Sequence, residues 1–158
     1  MSRFKKLKIE YSKPIYGWVR ASFDIDNIKI NMSFSGVFPP FYDLIEALES
    51  VKISPKRIIV LIEEEGPETE ITFIPYEKYV RIKLIRNNGY WKKGWNGKLD
   101  FLISKEKLIK EFKTKTYKLY NKNYRELMLN KHYPFWIRLH RLKGLKWKII
   151  LILQLLLF

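Results

Sequence analysis

Between Trp18 and Ser35 the chain alternates apolar and polar residues with a period of two, broken once at Asp26-Asn27. Val19, Ala21, Phe23 and Ile25 precede the break; Ile28, Ile30, Met32 and Phe34 follow it. A period of two puts successive side chains on opposite faces of a strand. With Asp26-Asn27 as a two-residue turn, Ile25 pairs with Ile28, Phe23 with Ile30, Ala21 with Met32 and Val19 with Phe34. All eight then share one face, and a slip of one residue would turn one strand's set into water. The segment therefore dictates a half-buried β-hairpin, and the rest of the chain must supply a core for it.

The flanking residues suggest how. Residues 3–11 read as a first strand, with Phe4 and Leu7 or Ile9 available for packing. Pro39 and Pro40 open a helix, where a missing N–H costs nothing. Phe41, Leu44, Ile45, Leu48 and Val51 recur at helical spacing, with Asp43, Glu46 and Glu49 outside, and Ser54-Pro55 ends the run. RIIVLIEEE reads as a buried strand. ITFIPY, YVRIKLIR and KLDFLI read as three more, with Leu99, Phe101 and Ile103 on one face of the last. Ser104 can cap a long helix whose stripe is Ile109, Phe112, Leu119, Tyr120, Tyr124, Leu127 and Met128, with Lys107, Lys110, Lys113, Lys118 and Lys122 mostly outside. The expected class is α+β: a mostly antiparallel sheet of about six or seven strands, two main helices packed on one face, and an apolar C-terminal segment. Residues 1–134 would form a single domain. Residues 135–158, basic and then apolar, would be a tail docked on it.

Charge narrows the partner. The net charge is +15, and residues 104–148 carry 14 Lys and Arg against 3 Asp and Glu. Such a bias favours an anionic partner: nucleic acid, anionic lipid or an acidic protein. A solvated helix face is the plainer account. No cysteine is present, which excludes disulfides and thiolate metal sites. The N-terminal residues lack an apolar signal segment, so the expected location is the cytoplasm. The final ten residues, IILILQLLLF, reach only about 15 Å as a helix, against about 30 Å for a hydrocarbon core. They do not make a transmembrane span. Ahead of them, Trp136, Arg138, Arg141, Lys143 and Trp147 are candidates for contact with a partner or an anionic membrane surface.

No catalytic constellation is visible, so no enzyme and no cofactor are expected. His132 and His140 lie eight apart, which is not the spacing of a zinc pair on one helix. Glu63, Glu64, Glu65, Glu68 and Glu70 form the one dense acidic run. Its readings are a solvated hairpin tip, a contact for a basic partner, a hard-cation site, or nuclease carboxylates beside Lys78. In the loop NNGYWKKGWNG, Tyr90, Trp91 and Trp95 interleave with Lys92 and Lys93. That composition suits stacking on single-stranded nucleic acid, anchoring a protein interface, or folding back to cover the sheet end.

Gly17-Trp18, Ser33 and Ser35, the PPFYDLIEAL run with Pro40, Leu44, Ala47 and Leu48, and the Glu64-Glu65-Gly66 turn form a further pattern. Over about residues 15–90 it resembles a group of small uncharacterised bacterial proteins that look like the immunity proteins accompanying toxins. The resemblance implies a non-enzymatic α+β module that binds, and neutralises, another protein. Two other functions stay open: nucleic-acid binding through the basic C-terminal helix and the 87–97 loop, and peripheral membrane attachment through the tail. A homo-oligomer is compatible with each.

Overall fold

The computed structural model describes residues 4–15, 18–35, 40–64, 66–89 and 94–122. The hairpin forms as its alternation requires. Strands β2 (Trp18–Ile25) and β3 (Ile28–Ser35) pair antiparallel, with Ile25 opposite Ile28, Phe23 opposite Ile30, Ala21 opposite Met32 and Val19 opposite Phe34. Asp26 and Asn27 both take positive φ, 49° and 73°, as a turn matching the right-handed strand twist demands. The Asp24 carboxylate accepts the Asn27 N–H at 2.9 Å and holds the turn closed. Strand β1 (Leu7–Tyr11) pairs antiparallel with the other side of β2.

Helix α1 (Pro40–Ile53) buries Phe41, Leu44, Ile45, Leu48 and Val51, the stripe read from its spacing. Four strands follow as a meander: β4 (Ile58–Glu63), β5 (Glu68–Pro75), β6 (Tyr79–Asn87) and β7 (Gly97–Ser104). Helix α2 (Lys105–Lys122) closes the described chain. Its first turn is capped where expected, with the Ser104 hydroxyl oxygen accepting the Lys107 N–H at 3.4 Å.

Three expectations are corrected. The seven strands form two antiparallel sheets, β1-β2-β3 and β4-β5-β6-β7, and not one. The cause is the connection between β3 and β4, which is a helix and not a turn, so the two hairpin systems never share a ladder there. They meet instead at the chain's beginning. Phe4 bridges Leu102 in parallel, the Lys5 N–H donates to the Leu102 carbonyl at 3.0 Å, and the Phe4 ring meets Tyr79 edge-on at 4.8 Å. The helices do not share one sheet face either: α1 packs chiefly on β4 and α2 chiefly on β1, and each touches the other sheet as well. Finally, the buried line of α2 runs through Leu108, Phe112, Thr116 and Leu119, while Ile109 is only half-buried. Tyr124, Leu127, Met128 and the whole tail lie outside the described residues.

One apolar core draws on both sheets and both helices. Its aromatic centre is Phe34 against Phe41, edge-on at 4.8 Å, with the Tyr11 ring 5.3 Å from Phe41 and 6.4 Å from Phe34. The Tyr11 oxygen accepts from the Thr116 hydroxyl at 3.4 Å. Burial pushes the Tyr11 phenol well above its ordinary value; the Thr116 hydrogen bond opposes this and the Glu111 charge adds to it.

Two outcomes follow from this packing. Replacing Asn27 by Val, which resists positive φ, should cost roughly 1–2 kcal/mol in urea denaturation, while Asn27→Gly should not destabilise. Tyr11 should make stability fall in alkali. Below the ordinary phenol pKa of about 10 both states keep the proton. Above it the unfolded phenol ionises first, and stability drops until the folded phenol follows. Stability of Tyr11→Phe measured against pH should show a shallower fall above pH 10.

Candidate functional site

The charged surface is organised by how α2 meets β1. One edge of β1 is paired with β2, which leaves its other edge with unpaired backbone groups. Helix α2 lies against that edge, and the Glu111 carboxylate accepts the Ile9 N–H at 2.9 Å. A helix side chain thus satisfies a strand donor and fixes the helix to the sheet. Lys115, one turn further along, stands 3.8 Å from the same carboxylate.

Two open recesses lie along this junction. The first has Lys5, Lys6 and Lys8 on the strand side and Lys107, Lys110 and Thr114 on the helix side. The second has Lys13 on the strand side and Lys115 and Lys118 on the helix side. Lys107, Lys110, Thr114 and Lys118 are all exposed, and their spacing places them in one stripe along the helix.

The acids that line the recesses are already engaged. Asp26 accepts the Lys6 N–H at 2.9 Å and lies 3.7 Å from the Lys5 ammonium. Asp24 holds the hairpin turn. Glu10 pairs with Lys8 at 2.7 Å. Their hydrogen bond, more than their charges, holds the Lys8 ammonium above its usual range and the Glu10 carboxyl below its own. Among the described residues, Lys6, Lys107, Lys110 and Lys118 have no carboxylate partner.

The acidic run divides. Glu63 and Glu68 are exposed, as a solvated tip requires. Glu64 is not: its side chain is 5% exposed and is ion-paired to Arg86, itself 7% exposed. The Arg86 guanidinium also donates to the Thr69 hydroxyl at 2.6 Å and the Asn88 side-chain carbonyl at 2.9 Å. The second Glu64 oxygen accepts the Ser33 N–H of β3 at 2.7 Å, across to the other sheet. This pair is structural. A periodicity signal for it exists in the sequence, because the inward alternation Val60, Ile62 continues to Glu64, and Val80, Ile82, Leu84 continues to Arg86 and Asn88. Thr69 and Arg86 face each other across β5 and β6.

The same network founds the aromatic loop. The Asn88 side-chain N–H donates to the Gly94 carbonyl at 3.3 Å. Gly89 has φ +56°, and a Cβ there would sit 2.8 Å from the Gly66 carbonyl oxygen, so the close approach of the two turns requires glycine. Trp95 is half-buried and packs on the core. Tyr90, Trp91, Lys92, Lys93 and Glu65 lie outside the described residues, as do Trp136, Arg138, Arg141, Lys143 and Trp147, both histidines and the whole apolar tail.

Among the described residues no group of three or more His, Asp or Glu could hold a metal ion. No described helix is long and apolar enough to cross a membrane. Compared with known proteins, the chain matches no protein-family model, no curated protein and no solved structure.

The buried pair should behave differently when halved and when removed whole. Glu64→Leu or Arg86→Met alone leaves one buried charge uncompensated and should cost about 3–5 kcal/mol. Glu64→Leu combined with Arg86→Met should cost much less than the sum of the single changes. Urea denaturation of the four proteins as a cycle measures this.

Proposed function

We infer that this protein is a non-enzymatic binding module that takes an acidic protein surface along the junction of β1 and α2. One observation carries the reading: Lys6, Lys107, Lys110 and Lys118 are exposed without carboxylate partners among the described residues, while the acids that line the recesses, Glu10, Asp24, Asp26 and Glu111, are engaged. An acidic partner would supply the missing counter-charges and be steered in by the excess of positive charge.

The pattern suits a protein better than a nucleic acid. Asp24, Asp26, Glu10 and Glu111 are interspersed with the lysines, and a uniformly charged phosphate chain would meet them as repulsive neighbours. Nucleic-acid binders that grip single strands also offer aromatic rings for stacking. The one aromatic ring among the described residues lining these recesses, Tyr11, is packed with Phe34 and Phe41. A neutraliser of an acidic toxin domain is the form of this function that the sequence resemblance implies.

Fluorescence anisotropy against a labelled acidic peptide with lysines interspersed among its glutamates and a single-stranded DNA oligonucleotide of equal net charge tests the reading. The peptide should bind more tightly, and Lys107→Glu with Lys110→Glu should weaken it roughly tenfold or more. Tighter binding of the DNA, or affinity indifferent to the double change, overturns the proposal.

A further inference from the structure

The two sheets treat their open edges differently. That of β1 is covered by α2. That of β4 is not: it is the outermost strand of its sheet, and no hydrogen bond from a described element other than β5 reaches its backbone. Natural edge strands are ordinarily blunted by lysines, prolines, bulges or a covering element. Strand β4, IIVLIE, is apolar until its last residue. RIIVLIEEE reads as a buried strand, yet Ile59 and Leu61 on its outer face are 53% and 44% exposed.

We propose that β4 is a self-association edge, where a second copy of this chain adds its own β4 antiparallel and joins two four-stranded sheets into one of eight. The sequence of the strand is self-complementary in a single register. Residues facing each other across antiparallel strands lie on the same sheet face. Centring the pair on Val60 puts Ile59 opposite the second copy's Leu61, Ile58 opposite its Ile62, and Arg57 opposite its Glu63. Centring on Leu61 sets Ile59 against Glu63, and centring on Ile59 sets Arg57 against Leu61. Only the Val60 register matches aliphatic with aliphatic and acid with base throughout.

Charge supports the same register. Glu63 lies directly opposite Glu68 on β5, and both are exposed. Like charges so placed repel, and neither has a cationic partner among the described residues. Arg57 is exposed and has no carboxylate partner among the described residues. In the paired arrangement each Arg57 reaches the other copy's Glu63, and two-fold symmetry makes the contact twice. The lysines of the binding surface lie on and beside β1 and on α2 and take no part.

Sedimentation over a wide concentration range, using the full chain and its charge variants, tests the proposal. The wild type should move from 19.2 kDa towards twice that mass. Arg57→Glu opposes two acids, and Glu63→Arg opposes two bases, so each variant alone should associate at least roughly tenfold more weakly. An equimolar mixture of the two variants restores both opposite-charge contacts and should form a heterodimer. Leu61→Lys, on the same face, should also dissociate the pair, and melting curves confirm that each variant folds. A wild type that stays monomeric at every concentration, variants that associate like the wild type, or a mixture that stays monomeric each overturns the proposal.

Discussion

The ion pair of Glu64 and Arg86 is the constraint on which the rest of this structure turns. It sits where two sheets, two turns and a loop converge. Glu64 follows β4, Arg86 is on β6, and the carboxylate reaches the backbone of β3 in the other sheet. Asn88, held by Arg86, fixes the far end of the 87–97 loop through Gly94. Burying two charges is costly, and an apolar pair of similar volume would often hold the fold as well. What apolar residues lack is direction. A guanidinium whose donors meet Glu64, Thr69 and Asn88 admits few arrangements of the strands around it.

The remaining cohesion is apolar and comes from the helices. Each lies chiefly against one sheet and touches the other, so the core is a single cluster although the hydrogen-bonded sheets are two. Phe34 from one sheet system and Phe41 from α1 meet at its centre with Tyr11 beside them. The seating of α2 also decides the surface. Because Leu108, Phe112, Thr116 and Leu119 turn inward and Glu111 is taken by the β1 edge, the lysine stripe is left facing water beside the lysines of β1. The exposed lysine surface is thus a by-product of how the core and one strand edge were satisfied.

The contrast between the strand edges follows the same logic. A helix follows β7 and returns across the molecule to cover β1. Nothing among the described residues does this for β4. The covered edge becomes a wall of the lysine surface, and the open edge leaves unpaired backbone groups of the kind another strand can meet.

The sequence by itself determined what depends on near neighbours. The register of β2 and β3 is legible because a period of two tolerates no slip and Asp26-Asn27 accepts the left-handed turn. The buried stripe of α1 is legible because five large apolar residues recur at one spacing. The order of all nine elements is legible for the same kind of reason. Tertiary structure decided what depends on distant partners: that the strands divide into two sheets, that Glu64 turns inward while Glu63 does not, and that Ile59 and Leu61 stay exposed. It also moved the stripe of α2 from Ile109 to Leu108. Periodicity states which residues share a face, but only the packing of elements far apart in the chain decides which face is covered.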